Sequence, residues 1–304
     1  MPRAQANGIE LEYDTRGDPA APPLLLVMGL GAQMTAWDDE LCDQLAAAGF
    51  FVIRFDNRDV GLSTKIESAE GFDVLSAIGA ALSGGTPDAP YLLRDMADDA
   101  FGLLDHLGIE RAHVVGASMG GMIAQTMAIT RPDRVATLTS IMSTTGDPTV
   151  GTATPEALAI LMTRPPSSRD EYVTNAISTA QLLHGPVLPF DEARAAERAA
   201  GFYDRCFYPA GVGRQLVAIL ASGDRTADLA DVRIPTLVVH GDADPLVNHS
   251  GGVATAAACA GAELLTIEGM GHDLPIETWD RIVTAIVDHT AKGAATPARQ
   301  PQVT

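Results

Sequence analysis

Residues Gly116 to Gly120 read Gly-Ala-Ser-Met-Gly, and this short motif constrains the fold of the chain more than any other feature. An apolar stretch (112–115) precedes it, and a stretch with helical character (121–128) follows it. A serine at the point where a buried strand turns sharply into a helix is typical of a nucleophile elbow. Small neighbours fit the crowded turn, and the helix N-terminus directs N–H groups toward a developing oxyanion. A purely structural turn is the alternative, but the strand before and the helix after favour Ser118 as a nucleophile.

Apolar, strand-like stretches alternate with amphipathic, helix-like ones over most of the chain. The predicted strands lie near 24–28, 50–56, 112–115, 135–142, 234–240 and 262–267. The clearest helices are predicted over 37–48, 93–107, 121–131 and 276–289. Such alternation predicts an α/β protein with a mainly parallel sheet. Near the start, Asn7-Gly8 predicts a hairpin turn between two short strands.

One long segment interrupts this alternation. Between about 145 and 231 the sequence shows helical stretches and repeated prolines but no convincing buried strand. We interpret residues 145–231 as a helical cap inserted over the carboxyl ends of the strands, where ligands bind in such sheets. The core then comprises residues 1–144 and 232–290. The end of the chain, 291–304, is rich in Ala, Pro and Gln and is predicted to be a disordered tail.

Serine nucleophiles need a base, and the base needs an acid that orients it. His272 follows the strand 262–267 and a glycine-containing loop, so it is the predicted base. The strand 234–240 is followed by Asp242 and Asp244, and we favour Asp244, which precedes a proline, as the acid. Asp242 and Asp147 stay open as alternatives. All of these residues follow strand ends, which meet at one edge of a parallel sheet.

An oxyanion hole requires two N–H donors close to the nucleophile. The first is expected to be Met119, directly after Ser118. The second is expected from the loop after the first buried strand, Met28-Gly29-Leu30-Gly31, which we call the oxyanion loop. Leu30 is the donor by position, and the glycines on either side allow the backbone to approach an oxygen closely.

Taken together, these segments resemble the α/β-hydrolase superfamily. The resemblance is to its capped branch, which includes small carboxylesterases, aclacinomycin methylesterase and cofactor-free haloperoxidases. The matching segments are 28–31, 56–63, 116–121, 240–245 and 269–272. The resemblance implies an α/β-hydrolase fold with a Ser118–His272–Asp244 triad and no cofactor. Many members begin the oxyanion loop with His-Gly, whereas this chain has Met28-Gly29, as the methylesterase-like members do.

Composition excludes several classes of partner. The net charge is −19 and no run of basic residues occurs, so nucleic acid and anionic membranes are not expected to bind. The longest apolar run, near 24–32, is too short to span a bilayer. The first residues lack the apolar stretch of a secretory signal, which predicts a cytoplasmic protein. The expected partner is a small-molecule ester, and the oligomeric state stays open.

Two patterns superficially suggest a cofactor or a metal. Gly29-Leu30-Gly31 resembles the start of a dinucleotide-binding fingerprint, but Met34 occupies the position of the third glycine. His240, Asp242 and Asp244 alternate along a strand, but no second cluster completes a metal site. The three cysteines, Cys42, Cys206 and Cys259, lie far apart in sequence and form no metal-binding or disulfide pattern. We therefore predict an enzyme without a cofactor or a metal.

The main hypothesis is a serine hydrolase that cleaves carboxylic esters through an acyl-enzyme. One alternative is a ligand-binding receptor on the same fold with little turnover, and another is a cofactor-free perhydrolase or haloperoxidase. The predicted cap carries large apolar residues that could enclose an uncharged ester, or could only dock the cap on the core. These residues are Leu182, Leu183, Phe190, Phe202, Tyr203, Phe207 and Tyr208. The resemblance suggests a methyl ester or a lactone of a bulky compound.

Overall fold

An eight-stranded sheet forms the centre of the protein in the computed structural model, which describes residues 2–67, 72–161 and 163–294. The strands are β1 (Arg3–Ala6), β2 (Ile9–Arg16), β3 (Pro23–Val27), β4 (Phe51–Phe55), β5 (Ala112–Ala117), β6 (Val135–Ile141), β7 (Thr236–Gly241) and β8 (Glu263–Ile267). Their order across the sheet is β1-β2-β4-β3-β5-β6-β7-β8. The pairs β1–β2 and β2–β4 are antiparallel, and the other pairs are parallel. The predicted α/β class is confirmed.

Helices cover both faces of this sheet, which explains why its central strands β3, β4, β5 and β6 are buried throughout. The helices outside the predicted cap are α1 (Asp39–Ala47), α2 (Val74–Leu82), α3 (Leu93–His106), α4 (Met119–Thr130), α10 (Ser250–Ala258) and α11 (Ile276–Thr290). Along β3, Leu25 and Val27 pack into the apolar cluster under α3 and α4. Leu24 and Leu26 face the opposite way and pack with residues of α1 and α11. Alternate side chains of one strand therefore supply two cores.

The predicted cap segment lies between β6 and β7, and its described residues form five helices. They are α5 (Pro155–Leu161), α6 (Arg169–His184), α7 (Glu192–Arg205), α8 (Pro209–Ser222) and α9 (Thr226–Leu229). No strand occurs among its described residues, 145–161 and 163–231. α9 lies at its end, just before the chain returns to β7.

The sequence analysis did not predict helix α2. Small residues and Gly79 give this segment a weak helical period, and of its described side chains only Ala77 and Ile78 are buried. These two residues form a small apolar cluster with Val217 of α8. A segment between β4 and α3 therefore packs against the cap.

The two ends of the described chain are simple. Asn7 and Gly8 both have positive φ angles (50° and 80°) and join β1 to β2, as the hairpin prediction required. Residues 291–294 form a turn after α11, and the rest of the predicted tail lies outside the described residues. None of the described helices has the length and apolar character needed to cross a membrane.

Candidate active site

Ser118 lies between β5 and α4 in the backbone conformation of a nucleophile elbow. Its φ and ψ angles are 57° and −121°, a strained combination for a residue with a side chain. The turn is held because the Ser118 N–H donates to the Ile141 carbonyl at 2.9 Å. Added Cβ atoms at Gly116 and Gly120 would lie 2.1 and 2.0 Å from backbone oxygens. Only glycine therefore fits at these two positions, and the Ser118 side chain is held at the start of α4.

The structure brings Ser118, His272 and Asp244 together in one hydrogen-bonded chain. His272 Nε2 lies 2.9 Å from Ser118 Oγ, and His272 Nδ1 lies 2.7 Å from Asp244 Oδ2. With the proton on Nδ1 donated to the carboxylate, Nε2 is free to accept the serine proton. Ser118 follows β5, Asp244 follows β7 and His272 follows β8, so three strand ends supply the three side chains.

Asp244 is buried, and hydrogen bonds surround its carboxylate. Oδ1 accepts the N–H groups of Leu246 and Val247 at 2.9 and 2.8 Å. Oδ2 lies 2.7 Å from His272 Nδ1 and 3.4 Å from His240 Nε2. Burial alone would raise the pKa of the Asp244 carboxyl, but attraction to His272 and hydrogen bonds from both histidines lower the pKa to about 2. Asp244 is therefore ionised at neutral pH and suited to orient an imidazole.

The two alternative acids have other partners. Asp242 Oδ1 accepts the Gly269 N–H at 2.7 Å, so this carboxylate supports the loop 268–272, which we call the histidine loop. Asp147 Oδ1 accepts the backbone N–H of Thr149 at 2.8 Å and its hydroxyl at 2.7 Å. These bonds lower the pKa of Asp147. Neither carboxylate contacts His272, so the geometry favours Asp244 over both.

Both predicted oxyanion donors lie beside the serine. Among the described residues, neither the Leu30 N–H nor the Met119 N–H donates a hydrogen bond, which leaves both available to a ligand oxygen. The oxyanion loop touches the elbow, since a Cβ added at Gly29 would lie 3.1 Å from Ser118 Cβ. Met28 cannot support this loop through its side chain. Instead, Asn57 Nδ2 donates to the Met28 carbonyl at 2.9 Å.

The alternating His240, Asp242 and Asp244 do not share a ligand site. The His240 ring is fully buried, and its Nε2 lies 2.7 Å from the Val247 carbonyl. Asp242 is exposed and bonds to the histidine loop as described above. In the part of the chain that the structure describes, no three His, Cys, Asp or Glu residues converge as metal ligands.

A cavity of about 1670 Å³ opens above the serine. Ser118, Leu30 and His272 line its base. Of the apolar cap residues singled out from the sequence, five line the wall: Leu183, Phe190, Phe202, Phe207 and Tyr208. Tyr203 stacks on Phe207 instead, with ring centroids 4.9 Å apart, and Tyr172 meets Phe207 edge-on at 5.5 Å. The chamber is large, and residues of the cap segment supply much of its mostly apolar wall.

The sequence analysis missed the residues that hold the catalytic loops. On the core side, Asn57 follows β4, so its position after a strand end was a usable signal. On the cap side, the His272 N–H donates to the Leu183 carbonyl at 2.6 Å, and His184 Nδ1 lies 2.6 Å from Asp273 Oδ2. These contacts join segments that lie far apart in sequence, since His184 and Asp273 are separated by 89 positions. No local pattern therefore indicates them.

Comparison with known families agrees with this geometry. Residues 22–278 match the alpha/beta hydrolase fold family, and the chain belongs to it. A rhodomycin D methylesterase from Streptomyces sp. strain C5 is 31% identical over 295 residues, which cover 90% of this chain and 92% of that protein. A rhodomycin D methylesterase from Streptomyces peucetius is 30% identical with the same coverage. The predicted resemblance to methylesterase-like members is confirmed.

Solved structures share the fold at lower sequence identity. The enol-lactonase from Burkholderia xenovorans LB400 superposes with a TM-score of 0.71 at 24% identity, covering 95% of this chain and all of that chain. A meta-cleavage product hydrolase from Pseudomonas fluorescens IP01 gives a TM-score of 0.72 at 21% identity, covering 96% and 97%. These likenesses establish the architecture over nearly the whole chain.

Proposed function

We propose that this protein is a serine hydrolase that cleaves carboxylic esters through an acyl-enzyme. The observation that carries the proposal is the continuous chain from Ser118 Oγ through the His272 ring to the buried Asp244 carboxylate. Two unpaired N–H groups beside the serine complete the requirements for acyl transfer. The methylesterase relatives support the same class of reaction.

In the proposed reaction, Ser118 Oγ attacks the ester carbonyl while His272 Nε2 takes the hydroxyl proton. The Leu30 and Met119 N–H groups bind the oxyanion, and the Asp244 carboxylate stabilises the imidazolium. The tetrahedral intermediate collapses, and the alkoxide leaves with the proton from His272. Water then loses a proton to His272 and attacks the acyl group, which releases the carboxylic acid and restores Ser118.

The substrate we infer is an uncharged ester with a bulky apolar group. Support comes from the volume of the cavity and from the aromatic residues of its cap wall. The relatives named rhodomycin D methylesterase favour a methyl ester, whose small alcohol leaves most of the cavity for the acyl part. A lactone is the second form of ester that this arrangement would accept.

Labelling with a fluorophosphonate, followed by assays on esters of increasing bulk, tests the proposal. We expect wild type to label and to turn over esters many times, while Ser118→Ala does neither. Loss of the nucleophile in such triads lowers kcat by about 10⁶-fold. Ser140→Ala is the control, because Ser140 is a serine of the neighbouring strand β6 that is fully buried and does not line the cavity. Labelling without repeated turnover would instead favour a receptor, and activity in Ser118→Ala would overturn the assignment.

A further inference from the structure

The oxyanion loop is held at both ends, once by the core and once by the cap. On the core side, Asn57 Nδ2 binds the Met28 carbonyl at 2.9 Å. On the cap side, the Gly31 N–H donates to Gln215 Oε1 of α8 at 2.8 Å. Leu30 lies between these two anchors. The loop therefore bridges the core and a residue 184 positions away in sequence.

These anchors restrain the peptide unit that carries the proposed oxyanion donor. The Leu30 N–H belongs to the peptide between Gly29 and Leu30. The preceding peptide is fixed through the Met28 carbonyl, and the following peptide is fixed through the Gly31 N–H. The peptide itself has one bond, since the Gly29 carbonyl accepts the Ala32 N–H at 3.3 Å. Glycine has unusually wide conformational freedom, so the anchors on the two neighbouring peptides further narrow the orientations open to the Leu30 N–H. Catalytic donors contribute most when their direction is set before the reaction.

The amide of Gln215 is itself held in one orientation. Its side chain is fully buried, and its Nε2 donates to the Arg58 carbonyl at 2.8 Å while its Oε1 accepts from Gly31. Because one partner is a donor and the other is an acceptor, a flipped amide would lose both bonds. A buried amide without partners is costly, so this arrangement is strongly favoured.

Helix α8 delivers Gln215 from a rigid position. Arg214 forms two hydrogen bonds of 2.8 Å with the Asp59 carboxylate, and both side chains are buried. Gly211 packs so closely that an added Cβ would lie 2.0 Å from the Asp59 carbonyl oxygen. α8 is therefore fixed to the loop that follows β4, where the Arg205 side chain of α7 also reaches Asp56 at 2.7 Å.

We propose that Gln215 is a positioning residue that orients the Leu30 N–H for oxyanion binding, so that the cap contributes to the chemical step. This inference rests on the proposed ester hydrolysis and deepens it. Removing the Gly31–Gln215 bond should weaken stabilisation of the tetrahedral intermediate while leaving ground-state binding of a small ester nearly unchanged. The effect should therefore fall on kcat rather than on KM.

Gln215→Met tests this with little change in side-chain volume. On a small acetate ester we expect kcat to fall about 10- to 100-fold, less than for loss of a whole oxyanion donor, with KM changed less than about threefold. Affinity for a boronic acid, which forms a tetrahedral adduct with serine, should fall in parallel with kcat. Hydrogen exchange should become faster at the Gly31 amide. Gln125→Met is the matched control, because Gln125 is equally buried and bonds to Ser140 and Arg225 outside the oxyanion loop.

Each outcome decides the matter. Wild-type kcat and boronate affinity in Gln215→Met, or equal losses in Gln125→Met, would overturn the positioning role. If Gln215→Met does not fold, Gln215→Asn replaces it, since the shorter side chain stays polar but withdraws its oxygen from the Gly31 N–H. Its kcat should also fall about 10- to 100-fold with KM nearly unchanged, and wild-type kcat in folded Gln215→Asn would overturn the role. Wild type without ester turnover would overturn the proposed function itself, and that result is seen before any variant is made.

Discussion

Helix α4, which follows the serine, and helix α6 of the cap differ sharply in how they are held. In α4, ten of twelve residues are buried, whereas α6 buries only His184 among its sixteen. α7 likewise buries only Ala199 among fourteen. Buried contacts fix side chains to within fractions of an ångström, and exposed faces tolerate change. The core therefore fixes the reacting groups, while α6 and α7 form a more exposed wall that is attached through contacts such as Leu183 with His272 and Arg205 with Asp56.

Helix α8 does not fit a simple division into core and cap. It buries Gly211, Arg214, Gln215, Val217 and Ala218, although it belongs to the same inserted segment as α6 and α7. Its buried polar side chains bind the loops that begin at the ends of β3 and β4. The cap segment therefore contains a fixed part next to the oxyanion loop and a wall of mostly half-exposed residues around the cavity.

The largest effect is expected from substitution of Asp244, the proposed acid of the triad, which belongs to the core. Asp244→Asn should lower kcat by about 10⁴-fold, because the amide NH₂ would donate to His272 Nδ1 and favour the tautomer whose Nε2 carries the proton and cannot take one from serine. Asp242→Asn is the control and should cost less than about tenfold, since its side-chain oxygen can still accept the Gly269 N–H. Steady-state kinetics on one small ester measure both. Similar activity in the two variants would remove Asp244 from the triad.

The second-largest effect is expected from substitution of Phe207, which lies in the cap wall of the cavity. Phe207→Ala should lower kcat/KM by about 10- to 100-fold for bulky esters and by less than threefold for an acetate ester, because only a large acyl group reaches the ring. Leu158→Ala is the control, since Leu158 is an exposed cap residue that does not line the cavity. Equal losses on every ester, together with a lower melting temperature, would mean that Phe207 packs the cap and does not select the substrate.

The smallest effect concerns the loss of folding stability at low pH, which we expect to arise from titrating groups in the core. Burial is the main cause that lowers the pKa of His113 to about 4, from an ordinary 6.5, while the pKa of Asp244 is lowered to about 2, from 3.8. In both cases the unfolded chain binds the proton at a higher pH than the folded protein does. The free energy of unfolding therefore falls as the pH is lowered. The His113 contribution should disappear between pH 6.5 and 4. The Asp244 contribution, about 2 kcal/mol, should disappear between pH 4 and 2.

Urea midpoints measured across this pH range check the assignment. His113→Gln should flatten the curve between pH 6.5 and 4, and Asp244→Asn should flatten it between pH 4 and 2. Phe207→Ala should keep the wild-type slope in both windows, because neither titrating group lies in the cap. A slope that changes only in Phe207→Ala would mean that the acid-sensitive groups lie in the cap and not in the core.

Much of the candidate site could be predicted from the sequence, because its information is local. The buried strand before Ser118 and the helix after it specify the elbow, and the elbow has the expected φ angle. His272 and the two aspartates after β7 follow strand ends, and parallel strands bring those ends to one edge. The oxyanion loop follows the same rule after β3. Local periodicity therefore determined the fold class and which residues could meet.

Only the tertiary structure decided which of these residues make contact. Asp242 and Asp244 stand two positions apart after the same strand, and the turn through Leu246 and Val247 directs Asp244 toward His272. The Gln215–Gly31 hydrogen bond could not be predicted from the sequence either, because a glutamine in an apolar helix does not indicate its partner. Sequence periods record which face of an element is buried. Contacts between distant loops depend on how the elements pack, which is a property of the whole chain.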